Sequence, residues 1–410
     1  MKQPVRALLS TLLIATYCLP VTAHPPISSI HRIHSTNFGI DETELTRIRS
    51  QMQAAVDGDY LPGAMLMVGN DDGVGVLLTV GTEGPDDPTP VNTDTLWRVC
   101  SMTKPIVSVA AMTLVEDGRL NLDDPVSRFL PEFSNPQIWD EDTGTTRPAS
   151  NVMTIQHLLT QESGIVQDIF ATGTRLGELY AETVQTSGRT LRQEAADIGT
   201  LPLLFEPGTR WHYGLSTDVL GAVIEEASGQ TLDVFLKEKI FDPLGMDDTG
   251  FFVPPSKLNR MAKEIHGDIS LCDPAPPFTS AAGGLKSTIE DYARFANMLL
   301  DGGEYYGTRI ISEETLELMT RKYIGNSVSR QNFFYGERGD WGLGFHLQPT
   351  TDDPDGPFNF GWQGIGGTVF IVDRDNDFYL IYMAQTRDGP RGAPFSLFHA
   401  QRLIYQAMRN

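Results

Sequence analysis

Short strand-like runs occupy both ends of this chain, and helix-period runs fill its middle; that distribution constrains the fold more than any other feature. Residues 64–68 and 74–80 are apolar and flank the turn sequence Asn70-Asp71-Asp72-Gly73, which predicts a β-hairpin. Residues 95–99 read as a short third strand or approach segment. Residues 342–347, 369–372 and 378–384 resume the strand pattern near the other end, with Asp373-Arg374-Asp375-Asn376 as a turn. Helical spacing marks 154–159, 191–198, 217–227 and 232–240 in between. It also marks the stretch after the capping-box sequence Asp41-Glu42-Thr43-Glu44, residues 288–300, and a closing helix over 395–408. Strands at opposite ends predict one sheet assembled from N- and C-terminal segments, about 41–100 and 276–410. A mostly helical region, about 101–275, is inserted between them, and a cleft between the two is a natural ligand site.

The first 23 residues carry the charged, apolar, small-residue order of a secretory signal peptide: Lys2 and Arg6, an apolar run over 7–19, then Pro20 and Val21-Thr22-Ala23. The run is about half the length of a membrane span, so no integral span is expected. The expected working chain is 24–410, secreted or periplasmic, with a loose polar entry over 24–40. The formal net charge is −22, and losing Lys2 and Arg6 makes it more negative by two. Such a field repels nucleic acid and anionic membrane surfaces. Of three cysteines, Cys18 leaves with the leader. Cys100 and Cys272 are expected as two buried free thiols, with one disulfide as the alternative in an oxidising compartment.

Three sequence elements bear on chemistry. Ser101-Met102-Thr103-Lys104 is the only Ser-x-x-Lys in the chain and opens an apolar helix, with Pro105 in the tolerated first turn. A serine hydroxyl needs a base, and positions i and i+3 share one helix face, so Lys104 can reach Ser101. The helix start offers free N–H groups to a developing oxyanion. Tyr213, in Trp211-His212-Tyr213-Gly214-Leu215-Ser216, is a phenol that could relay protons if it reached that lysine. His212 is the competing triad candidate, and the more common role of such a histidine is structural. Gly361-Trp362-Gln363-Gly364-Ile365-Gly366-Gly367 permits close backbone approach to a ligand and leads into a strand whose edge N–H could complete an oxyanion hole.

Together these elements resemble the serine β-lactamase and penicillin-binding-protein superfamily over about residues 45–405. Supporting stretches are Asp117-Gly118-Arg119-Leu120-Asn121-Leu122-Asp123-Asp124-Pro125, Gln161-Glu162-Ser163-Gly164, Phe205-Glu206-Pro207-Gly208 and Ser280-Ala281-Ala282-Gly283-Gly284-Leu285. The chain is most similar to the class C-like branch, and there to the family VIII carboxylesterases. The resemblance implies an α/β (α+β) fold: an antiparallel sheet of N- and C-terminal segments flanked by helices, with the helical insertion. It implies Ser101 as nucleophile, Lys104 as base, Tyr213 as proton shuttle, and the Ser101 and Ile365 N–H groups as oxyanion hole. Trp362-Gln363-Gly364 falls where β-lactamases carry Lys-Thr-Gly, and Leu215 replaces the asparagine of Tyr-x-Asn. Trp362, Gln363, Gly364 and Leu215 are therefore the expected substrate-binding residues.

Losing a charged hydrogen bond costs about 1.5–3 kcal/mol, so these replacements favour an uncharged ester over a lactam carboxylate. Lys286 or Arg391 could still meet a carboxylate. The expected activity is carboxylic ester hydrolysis through an acyl-serine on a small-molecule ester or lactam, without metal or cofactor. A β-lactamase or D-alanyl peptidase is the alternative, and a non-catalytic binding protein of this fold the third reading. No Gly-x-Ser-x-Gly occurs, and His31-x-x-His34 in the entry segment lacks zinc-site company.

Overall fold

The computed structural model describes residues 31–409 apart from 185, 326–327, 337, 354–355 and 388–391. The expected leader at 1–23 lies outside the described residues, as does Arg391. Helix α1 (Glu42–Asp57) starts at Asp41, whose side chain accepts the Glu44 N–H at 2.9 Å. Strands β1 (Gly63–Asn70) and β2 (Gly73–Gly84) form the expected hairpin, and β3 (Asp87–Pro90) closes that edge. Helices α2 (Thr103–Glu116), α3 (Ser216–Ser228) and α4 (Ile289–Leu300) follow. The chain then returns to the sheet as β4 (Asp340–Trp341), β5 (His346–Pro349), β6 (Phe358–Gly364), β7 (Thr368–Asp373) and β8 (Phe378–Ala384), and ends in α5 (Leu397–Met408).

The sheet order is β4-β5-β6-β7-β8-β1-β2-β3, antiparallel throughout. Strand β8 lies beside β1, pairing Leu66 with Tyr382, so the two ends of the chain meet at the centre of the sheet. Both faces are covered. Ala64, Leu66, Val68, Leu380 and Tyr382 pack against α1 and α5, while Met65, Met67, Ile381 and Met383 face the core that holds α2 and α4. This is the period-2 alternation of a strand buried on both sides, and it explains why these strands read as continuous apolar runs. Helix α2 is buried along almost its whole length and packs on α3, which links the sheet to the helical region.

Three expectations need correction. Residues 342–347 are not one strand: Gly344 sits at φ +91° against α2, where a Cβ would lie 2.1 Å from Ser108 Oγ, so the chain turns there between β4 and β5. The entry segment is not loose over its described part, since Ile33 N–H donates to Val74 O at 3.2 Å and Val74 N–H to His31 O at 2.9 Å. Cys100 and Cys272 are not free thiols. The short turn Ser270–Cys272 brings the two Cα atoms to 5.0 Å and the sulfurs are bonded. Their separation of 172 residues hid this contact from sequence reasoning.

Closing so long a loop restricts the unfolded chain, a stabilisation of roughly 2–5 kcal/mol. Non-reducing peptide mapping should recover one linked peptide pair containing Cys100 and Cys272, and Cys272→Ser should lower the thermal midpoint by several degrees. Recovery of two alkylatable thiols from the native, unreduced protein would contradict the pairing.

Candidate active site

Ser101 lies in a tight turn, Cys100–Met102, just ahead of α2. Cys100 has φ +48°, a left-handed conformation that costs a non-glycine residue about 1–3 kcal/mol and needs support from its surroundings. That support comes from several elements. The Val99 N–H donates to Leu285 O at 3.1 Å, Thr368 Oγ1 donates to Val99 O at 3.2 Å, and Tyr292 of α4 donates to Met102 O at 2.8 Å. Gly364 lets β6 reach the turn: a Cβ there would stand 2.4 Å from Val99 O and 3.2 Å from Cys100 Cβ. The disulfide ties the same turn to the 270–272 segment.

Lys104 is buried, 2% exposed. Its Nζ lies 3.4 Å from Ser101 Oγ, donates to Ala282 O at 2.8 Å, and sits 4.4 Å from the Tyr213 ring centroid. Among the described residues no carboxylate lies within ion-pair distance of it, and buried Asp218 acts on it only at longer range. Asp218 of α3 holds the segment that supplies the carbonyl, accepting from Ala282 N–H at 2.9 Å and Ser280 Oγ at 3.2 Å. Tyr213 is packed among Phe170, Trp211, Phe334, Trp341 and Trp362, and its oxygen accepts the Trp362 indole N–H at 3.0 Å. Tyr213 is thus brought against Lys104 through its ring face, while Ser101 and Lys104, but not Tyr213, line the pocket described next.

A pocket of about 340 Å³ opens over Ser101 and Lys104, with Leu215 and Ile365 in its wall. The other three expected substrate contacts lie elsewhere. Trp362 is buried behind Tyr213, and Gly364 is spent on the approach to Val99. Gln363 faces the opposite side of the sheet, in a separate cavity of about 780 Å³ beside α5. The pleat alternates side chains, so Trp362 and Gln363 cannot both face the cleft. Lys286 is committed as well: it bonds Asp273 at 2.7 Å, Phe251 O at 2.9 Å and Gly284 O at 3.1 Å. His212 hydrogen-bonds Asn332 at 3.0 Å and packs on Phe205, and burial pushes its pKa down to about 4. It does not line the pocket of Ser101.

Sequence reasoning gave no role to three polar residues. Gln161, at φ +60°, splints the segment around Tyr213: its O accepts the His212 N–H at 2.9 Å, its Oε1 accepts the Gly214 N–H at 3.2 Å, and its Nε2 donates to Thr217 at 3.1 Å. Glu194 and Asp218 are both buried in the pocket wall. Burial raises both carboxyl pKa values, and the Asp218 charge raises Glu194 further, well above the usual carboxylate range. A signal for Glu194 was present, because it occupies the apolar stripe of Leu191, Ala195 and Ile198 on the helix Leu191–Gly199.

A family model described as Beta-lactamase matches residues 48–400. Esterase EstB of Burkholderia gladioli is 29% identical over 395 residues, 88% of this chain and 96% of that one. Acyltransferase calJ of Penicillium decumbens is 33% identical over 321 residues, covering 70% and 74%. Among solved structures, EstCE1, described as a hydrolase with promiscuous acyltransferase activity, superposes with a TM-score of 0.73 at 21% identity, covering 90% of this chain and 99% of that one.

Glu162, next to Gln161, has its pKa raised to about 7, chiefly by burial. The folded state therefore holds a proton that the unfolded chain has released, and stability falls as pH rises from about 4.5 to 7. Glu162→Gln should remove that slope, gaining on the order of 3 kcal/mol relative to the parent between pH 4.5 and pH 8. Urea melts at the two pH values check this; an unchanged stability difference would contradict it.

Proposed function

The chain belongs to the β-lactamase family, whose model spans residues 48–400, and within that family of serine hydrolases we propose that it is a carboxylesterase working through an acyl-serine. The observation that carries the reading is Lys104, a buried amine 3.4 Å from Ser101 Oγ and without a paired carboxylate among the described residues. In the proposed reaction Lys104 takes the Ser101 proton as Oγ attacks the ester carbonyl. The N–H groups of Ser101 and Ile365 receive the oxyanion. Collapse breaks the ester C–O bond, and the departing alcohol takes its proton by way of Tyr213. Water then adds to the acyl carbon, gives up a proton to the same pair, and releases the acid and Ser101.

The Trp362 bond to Tyr213 supports an esterase over a lactamase reading. The position where a lactamase would offer a cation instead orients the phenol. Leu215 adds an apolar wall, and Lys286 is engaged in its own polar cluster. The relatives named as esterase and acyltransferase favour a second outcome, transfer of the acyl group to an alcohol in place of water. Secretion or export to a periplasm is proposed as well, supported by the leader-like first 23 residues and by the disulfide, which persists in oxidising compartments.

The mature protein should hydrolyse a short-chain aryl ester faster than a chromogenic cephalosporin, with an acyl adduct on Ser101 visible by intact mass. Ser101→Ala and Lys104→Ala should each lower kcat/KM by at least about a thousandfold. Faster cephalosporin turnover would favour the lactamase reading, and no turnover with no adduct would favour a binding protein. Trp362→Phe keeps the ring and loses the N–H. It should lower kcat by roughly tenfold with little change in KM, whereas a change confined to KM would count against the orienting role. Adding a primary alcohol to the assay should yield transesterified product if acyl transfer competes with hydrolysis.

A further inference from the structure

The pocket over Ser101 contains a group that the proposed acyl-serine chemistry does not use. Glu194 is 2% exposed, lies in the pocket wall, and its Oε2 has no hydrogen-bond partner among the described residues. A buried carboxyl oxygen left unsatisfied is destabilising, and the helical position it occupies would take a leucine without that cost. Its neighbours on the same face, Leu191, Ala195 and Ile198, are apolar and buried. The charged or titratable groups acting on it are Asp218 and Asp197, both acidic, so no ammonium or guanidinium among the described residues neutralises it. The nearby Lys104 amine is directed at Ala282 O and Ser101.

We propose that Glu194 reads the substrate: its carboxyl group hydrogen-bonds a hydroxyl carried by the part of the ester that fills this pocket. This rests on the esterase reading and narrows its substrate class to hydroxylated esters. A protonated carboxyl group both donates and accepts, which matches the two-way hydrogen bonding of an alcohol and gives a plain alkyl chain nothing. Burial and the adjacent Asp218 push the Glu194 pKa well above the usual carboxylate range, which favours that protonated form. The remaining pocket wall, with Phe170, Leu215 and Phe278, suits the carbon skeleton.

The test compares matched esters with and without one hydroxyl. One pair varies the acyl chain, p-nitrophenyl 3-hydroxybutyrate against p-nitrophenyl butyrate; the other varies the alcohol, 3-hydroxypropyl butyrate against propyl butyrate. The protein should favour the hydroxylated member of one pair by about tenfold or more in kcat/KM. Glu194→Gln, which keeps a donor and an acceptor, should retain most of that preference. Glu194→Leu should lose it, the ratio of kcat/KM for the hydroxylated ester to that for the plain ester falling to about one. Glu194→Met provides a second apolar variant should the leucine variant fold poorly. Absence of preference in both pairs, or a preference that survives in the apolar variants, overturns the proposal. So does a larger Glu194-dependent gain for p-nitrophenyl 4-aminobutyrate, which would assign the site to ammonium groups. The two readings fail differently: turnover that Ser101→Ala abolishes but that ignores the hydroxyl defeats only the role of Glu194. Absence of Ser101-dependent turnover of any ester defeats the esterase reading itself.

Discussion

A lysine amine removed from water needs polar or aromatic neighbours in place of its hydration shell. Lys104 finds them in the Ala282 carbonyl, the Ser101 hydroxyl and the face of the Tyr213 ring. Each neighbour comes from a different part of the chain, so the position of the amine depends on the whole assembly. Asp218 holds Ala282, Gln161 holds both sides of Tyr213, and Trp362 holds the phenol oxygen. A carboxylate at any of these places would form an ordinary ion pair with the lysine. A carbonyl and a ring face stand there instead, and the amine lies 3.4 Å from Ser101 Oγ.

The sheet makes that arrangement rigid. Strands β6 and β7 press Gly364 and Thr368 against the backbone ahead of Ser101, and α4, which covers the same face, contributes the Tyr292 bond to Met102. The left-handed Cys100 is then one link in a turn constrained from the sheet, from α4 and through the disulfide. Positioning of this kind holds the Ser101 hydroxyl 3.4 Å from the Lys104 amine at the mouth of α2.

Phe170, Leu215 and Phe278 give the pocket over Ser101 an apolar wall. Trp362 lies behind Tyr213 rather than in that wall, and buried Lys286 is held by Asp273 and two carbonyls. Two carboxyl groups line the same space. An uncharged ester fits this environment without leaving a charge unpaired, and the esterase and acyltransferase relatives agree with that chemistry.

Local pattern determined a good deal by itself. The hairpin of β1 and β2, the strands β7 and β8, the helix α4, and the Ser101–Lys104 spacing all follow from periodicity, turn residues and helix geometry within a few residues. The proximity of Tyr213 to Lys104 came from family resemblance, because no local rule joins residues so far apart. Other features were decided only by tertiary structure. Cys100 meets Cys272 across 172 residues, Gln363 is turned to the far side of the sheet while Trp362 faces the core, and Glu194 enters the pocket from a helical stripe that reads as ordinary core. The physical reason is common to all three. Backbone preference sets which residues share a face, whereas what that face meets depends on long-range packing that no window of sequence contains.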